Sequence, residues 1–271
     1  MSEENTEVQP LFELNDAEVV RAGRTILRVD KFLLAKGENI ALLGPNGAGK
    51  STFVKLITRE VMPLYREQPP VKFNGNPRAT LVDVRKTLGI VSSTMQAQIN
   101  VHLPAVDIVE GGLFGTLGLP RHVHPDERTH AKALEAMEML GVAKLADQDI
   151  MTMSSGQARR VLFARALVHD PSTLLLDEPC TGLDPEGMYY VRSSMRDLAR
   201  AGKGIVLITH YPEDIIPEIK RLVLIKDGKL FADGAKEDML TDQMMSSLFD
   251  VPLQVAKNGK KNEYFSLVSS Y

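Results

Sequence analysis

With 271 residues, the chain is long enough to bury a substantial core as one large domain or two small ones, and its 44% hydrophobic and 25% charged residues are ordinary globular values. A net charge of −3 gives no basic field for a nucleic acid, and the single cysteine, Cys180, excludes an internal disulfide and fits a reducing cytosol. No apolar run approaches the roughly 20 residues that span a bilayer, and the acidic, polar start through Gln9 reads as neither signal peptide nor anchor.

Taken in order, residues 11–20 and 25–29 read as strands around the turn Arg21-Ala22-Gly23-Arg24, and Lys36-Gly37-Glu38 is a second turn. It delivers the apolar run Ile40-Ala41-Leu42-Leu43, then Gly44-Pro45-Asn46-Gly47-Ala48-Gly49-Lys50-Ser51-Thr52, then the apolar-periodic Phe53-Val54-Lys55-Leu56-Ile57. Strand, glycine-rich loop and helix in that order form a P-loop. The glycines let consecutive N–H groups point at phosphate oxygens, and the helix adds its positive end. Lys50 can reach the β- and γ-phosphates and the Ser51 hydroxyl can ligate a bridging Mg²⁺. The implied ligand is a nucleoside triphosphate; the bland alternative, an ordinary strand-to-helix turn, is disfavoured by the buried-strand pattern before the loop and the helical pattern after it.

The helix after the loop ends before Pro63, and Pro69-Pro70 and Asn74-Gly75-Asn76-Pro77 bracket a short strand holding Val71 and Phe73. Leu88-Gly89-Ile90-Val91 is another apolar run. From about 93 to 152 the pattern turns helical, with a segment opened by Val106, Ile108 and Val109, and a helix over 126–140 that puts Ala133, Met137 and Leu140 on one face. This stretch reads as an inserted helical subdomain. Strand patterns return at 173–176, 205–208 and 222–225, with a helix over 188–201, and such continuous apolar strands argue for a parallel sheet covered on both faces. Lys226-Asp227-Gly228-Lys229 is a hairpin turn, and the tail over 237–271 is a helix followed by irregular or short β structure. The reading is one domain over 1–271, with core 10–92 and 153–236, helical subdomain about 93–152 and a C-terminal extension about 237–271.

Leu174-Leu175-Leu176-Asp177-Glu178 is a buried strand ending in two carboxylates. At the exit of a parallel strand next to the phosphate loop, Asp177 can hold Mg²⁺ and Glu178 can take the proton of a water attacking the γ-phosphate; without that loop the pair would read as a solvated turn. Earlier, Met153-Ser154-Ser155-Gly156-Gln157 runs into the helical Ala158–Leu167 stretch. Its serines can cap that helix, and the free N–H groups form a second anion site.

These features together resemble the ATP-binding-cassette (ABC) ATPase family over about residues 11–234. Residues 44–52 match the family's Walker A loop, 174–178 its Walker B strand with the catalytic glutamate, and 153–157 its Leu-Ser-Gly-Gly-Gln signature, with Ser155 where glycine is usual. Thr181-Gly182-Leu183-Asp184 resembles the D-loop, which places Asp184 at the nucleotide interface, and His210 resembles the switch histidine that contacts the γ-phosphate. The family's Q-loop glutamine is met here by Ser92-Ser93, leaving Gln96 as candidate for the metal-binding role and Gln98 as fallback. Arg21 stands where an aromatic usually stacks on adenine, and an arginine plane can do the same.

The resemblance implies an α/β P-loop NTPase fold, a mostly parallel sheet flanked by helices with an antiparallel N-terminal β part. It also implies ATP and Mg²⁺ as cofactors and a head-to-tail homodimer with ATP between one phosphate loop and the other copy's signature loop. Such a cassette drives a separate membrane permease, with a solute-binding protein as a further partner and no nucleic acid, from a cytoplasmic, peripheral position at the inner face of the membrane. A narrower similarity, to molybdenum and iron importer ATPases, rests on Val91-Ser92-Ser93, Ser154–Gln157 and the segment around Leu248–Pro252. The alternative is a soluble ABC protein acting on DNA or ribosomes, although the chain has neither heptads for coiled-coil arms nor a second phosphate loop. A P-loop kinase or small GTPase would lack the signature loop. His122, His124 and His130 have no acidic or cysteine complement at metal-ligand spacing, Met137, Met139, Met244 and Met245 read as packing, and Cys180 as a small semi-buried residue.

Overall fold

The structure is a computed structural model that describes residues 9–120, 122–259 and 263–269. Alternating residues at its start form two long antiparallel strands, β1 (Pro10–Arg21) and β2 (Arg24–Ala35), which put Leu14, Ala17 and Val19 of one and Leu27, Val29, Phe32 and Leu34 of the other into the core. β2 runs past the expected end at Val29: the inward phase shifts by one residue at Asp30-Lys31, and Phe32 and Leu34 then return to the core.

The chain continues through β3 (Ile40–Leu43), α1 (Lys50–Ile57), β4 (Val71–Phe73), α2 (Leu81–Thr87) and β5 (Leu88–Ser92). A capping box between Thr80 and Asp83 starts α2. Next come α3 (Ser93–Gln98), α4 (Ala105–Glu110), α5 (Glu127–Met139) and α6 (Ser155–Leu167), and among the described residues 3₁₀ turns but no strand lie between β5 and α6. β6 (Thr173–Asp177), α7 (Pro185–Arg200), β7 (Gly204–Thr209), β8 (Arg221–Lys226) and β9 (Lys229–Ala235) complete the sheet, followed by α8 (Lys236–Met239), α9 (Asp242–Phe249) and the separate hairpin β10 (Leu253–Asn258) and β11 (Tyr264–Ser269).

Among the described residues nine strands form one sheet in the order β4-β1-β2-β9-β8-β3-β7-β6-β5. The run from β8 to β5 is parallel throughout, whereas β4-β1-β2 and β8-β9 are antiparallel. Both faces of the parallel run are buried, and the period of two sorts its residues. Ala41, Leu43, Leu174, Leu176, Ile205 and Leu207 pack with helices α4 to α7, while Ile40, Leu42, Leu175, Val206 and Ile208 pack with α1 and the N-terminal strands. Phe53 of α1 meets Phe32 of β2 edge-on at 5.1 Å, so the helix after the phosphate loop is anchored on the antiparallel part.

Parallel register aligns the functional ends. Leu43 lies opposite Thr209, Ile208 opposite Asp177, and Asp177 opposite Ser92, so β3, β7, β6 and β5 open onto one edge. Ligands bind at such an edge of an open α/β sheet. β6 ends beside the phosphate loop without pairing with the strand that feeds it: β7 lies between β6 and β3 and brings His210 with it.

Candidate functional site

The phosphate loop is clamped from below by the β8–β9 turn. A Cβ on Gly44 would lie 2.2 Å from the Ile225 carbonyl oxygen, so glycine alone permits this approach. Gly228 N–H donates to the Ala48 carbonyl at 2.9 Å, and Arg28 N–H donates to Gly228 O at 2.7 Å, which interlocks loop, turn and β2. Gly49, at φ 107°, is the N-cap of α1 and leaves the first turn without a side-chain cap. Those N–H groups are the donors an anion would take. Lys50 is buried and its ammonium donates to Gly44 O at 2.7 Å and Pro45 O at 3.1 Å. Burial pulls its pKa down, and the charges of Glu178 and Asp177 oppose that pull.

Across the edge, burial pushes the Asp177 carboxyl above the usual range, Glu178 adds to the rise, and Lys50 and Lys55 counter it. Glu178 holds a left-handed backbone, φ 50°, an uncommon conformation for a side-chain-bearing residue. Its N–H donates to Ile208 O at 2.9 Å, its Oε1 lies 3.3 Å from His210 Nδ1, and Thr181 Oγ1 donates to its Oε2 at 3.5 Å. Base candidate and switch candidate are thus in contact.

Ser51 and Asp177 line one cavity of about 450 Å³ together with Ser92, Thr94 and Gln98. Gln96 is engaged elsewhere: its Oε1 accepts from Arg159 Nε at 3.2 Å. The glutamine that shares a cavity with the other two candidate metal ligands is therefore Gln98, the fallback.

The signature segment caps α6 with a reciprocal box. Ser154 Oγ accepts from Gln157 N–H at 3.2 Å, and Gln157 Oε1 accepts from Ser154 N–H at 3.0 Å. Gln157 is thereby turned back on its own helix, while Ser154 and Ser155 are exposed. A Cβ on Gly156 would stand 2.8 Å from Gly187 Cα, so the N-termini of α6 and α7 touch backbone to backbone. Asp184 caps α7, its Oδ1 accepting from Gly187 N–H at 2.7 Å, with Pro185 at the first helical position. Arg21 is exposed at the end of β1, opposite Arg24.

Sequence reasoning missed the frame behind these groups. Arg159 reaches the backbone after Glu178, and the buried Asp214 pairs with Arg192 at 2.6 Å and accepts from Thr209 Oγ1 at 3.1 Å, fixing the segment that carries His210. Arginine in the otherwise apolar α6 was the available signal for the first; nothing local announced the second. Cys180 is fully buried, not half-buried, and burial, with Asp214 nearby, pushes its thiol up to about 12. His130 Nδ1 lies 2.8 Å from Glu110 Oε1, a buried carboxylate.

Among the described residues no three His, Cys, Asp or Glu side chains cluster to cage a metal. One carboxylate with a hydroxyl and an amide is an all-oxygen set that fits Mg²⁺, which fills its remaining positions with water and phosphate.

Comparison with known proteins identifies the family. The protein-family model described as ABC transporter matches residues 27–181. The chain is 32% identical over 254 residues to an uncharacterized ABC transporter ATP-binding protein of Bacillus subtilis, covering 92% of this chain and 94% of the relative. It is also 32% identical over 225 residues to the energy-coupling factor transporter ATP-binding protein EcfA of Methanocaldococcus jannaschii, covering 81% and 77%. Among solved structures, cbiO1 from Clostridium perfringens, part of the cbiONQ transporter complex, superposes with a TM-score of 0.74 at 22% identity, covering 88% of this chain and 94% of that one.

Proposed function

The chain belongs to the ABC transporter family, as an ATP-binding subunit with ATPase activity, and from that premise we propose that two copies close head to tail around two ATP molecules and so drive a separate membrane permease. One observation carries the reading. The chain presents two phosphate-type sites: the Gly44–Thr52 loop beside Asp177 and Glu178, and the exposed Ser154-Ser155 start of the thirteen-residue α6. A triphosphate held by the first leaves the second to take the opposite side of another copy's nucleotide, and a two-fold arrangement satisfies both.

Within each site the loop N–H groups and Lys50 hold the β- and γ-phosphates. Ser51, Asp177 and Gln98 would hold Mg²⁺, which when bound neutralises phosphate charge. Glu178 accepts the proton of the attacking water, and His210 orients that carboxylate and meets the γ-phosphate. Loss of the γ-phosphate removes what Ser154–Gly156 of the other copy holds, so the pair opens. The ADP- and phosphate-bound dimer of the MJ0796 cassette has the same fold, with a TM-score of 0.66 at 23% identity.

No helix among the described residues is long and apolar enough to cross a membrane. On the permease-coupled reading the chain lies at the inner face of the membrane, with the helical stretch 93–152 against the permease and a solute-binding protein completing the assembly if cargo moves inward. Affinity isolation of the tagged chain from detergent-solubilised membranes tests the coupling. Recovery with a polytopic membrane protein is expected; recovery only with ribosomes or DNA would overturn it.

A further inference from the structure

Arg159 stands two residues beyond the signature loop on α6 and is 3% exposed. Its guanidinium leaves the helix and joins two other segments. Nε donates to Gln96 Oε1 at 3.2 Å, Nη1 to Pro179 O at 3.1 Å and Glu178 O at 3.5 Å, and Nη2 to Thr181 O at 3.5 Å. Among the described residues no carboxylate oxygen lies within 4.0 Å of it to form an ion pair. Burial accordingly pulls its pKa down.

A buried guanidinium without a counter-ion is a costly way to fill space, and an apolar side chain of similar volume would pack there without desolvating a charge. What an apolar residue cannot do is hold several acceptors at fixed angles, which the planar fork of arginine does. The acceptors belong to the candidate base's own carbonyl, to the turn that leads into Thr181–Asp184, and to α3.

We propose that Arg159 is a positioning residue that holds Gln96 and the Glu178–Thr181 turn in fixed relation to the helix whose N-terminus presents Ser154–Gly156. On the head-to-tail reading above, which this consequence rests on, that N-terminus faces the ATP of the other copy, so Arg159 ties the base at one site to the grip on the second nucleotide.

The test uses Arg159→Met, Gln96→Leu and the double variant, with Arg159→Lys as a second substitution that keeps the stem and charge should Met fail to fold. For Arg159→Met, kcat falls about tenfold or more, the worth of a charge-assisted hydrogen bond, while the Kd for labelled ATP stays within about twofold, which separates positioning from binding. The double variant is no slower than Arg159→Met alone, because both remove one network. Without nucleotide, deuterium uptake rises at 93–98 and 178–183 and is unchanged at 40–57. An unchanged kcat, a Kd that weakens as much as kcat falls, or multiplying single effects would overturn the proposal. Exchange needs neither turnover nor a second copy: unaltered uptake in both segments overturns the positioning role by itself, whereas a wild-type monomer with full activity overturns only the dimer.

Discussion

Glu178 Oε1 lies 3.3 Å from His210 Nδ1, a contact made across the ends of the neighbouring strands β6 and β7. The parallel register that sets Asp177 opposite Ile208 brings both strand ends together, with Glu178 one residue and His210 two residues past that pair, so candidate base and histidine meet as a consequence of topology. His210→Ala should lower kcat about 10²-fold, the usual loss when one preorganised partner of the transition state is removed, with ATP affinity nearly unchanged. Steady-state kinetics with an equilibrium titration checks this.

Asp177 illustrates stability given up for chemistry. Burial raises its pKa above the unfolded value, so the folded state binds the proton more tightly. The stabilising contribution is complete below the unfolded pKa and is lost as pH rises through the folded one, which leaves the ionised group destabilising at neutral pH. Without nucleotide or Mg²⁺, Asp177→Asn should raise Tm at pH 7 and show a smaller gain at low pH, while turnover is lost. Thermal melts over a pH series measure the sign.

The Arg192–Asp214 pair holds the segment after His210 against α7, and the Asp214 side chain is 3% exposed. Arg192→Met strands that carboxylate, and the loss should be about 2–3 kcal/mol, at or below the range for breaking a buried pair because the arginine is partly solvated. Asp214→Asn, which keeps an acceptor for Thr209, should cost less. Denaturant unfolding of both variants provides the comparison.

Cys180 shares that buried corner, and a thiol pushed up to about 12 is thiolate in only about one molecule in 10⁴ at pH 8. The native protein should resist iodoacetamide at that pH for hours, and the guanidinium-unfolded chain should react within minutes, as followed by mass spectrometry. Rapid native labelling would show that the corner opens.

Much of the site was legible because its signals are local. The apolar run into Gly44 and the run into Asp177 each carry their own context, and Ser154 with Gln157 three residues on is a helix-start signature. The helix after Asp184 begins at Pro185, a start that the Asp-Pro pair announces, whereas apolar periodicity alone starts it at Met188. What was not legible depends on long-range placement. Gln96 and Gln98 are two residues apart on α3, about 200° around a helix, and only the position of Arg159 on another helix decides which one turns toward α6. The insertion of β7 between β3 and β6, and of β9 between β2 and β8, is likewise a property of the assembled sheet.

The central claim is that ATP is held between two copies by unlike loops, and the most direct measurement is the mass of Glu178→Gln by sedimentation equilibrium. Turnover in this variant falls by about 10²–10⁴, the usual worth of a general base, so ATP survives the experiment. The account predicts twice the chain's mass with ATP and Mg²⁺, the single-chain mass with ADP, and loss of the ATP-induced dimer when Ser154→Arg is added. A single-chain mass with ATP bound, or a dimer indifferent to both the nucleotide and Ser154, would contradict it.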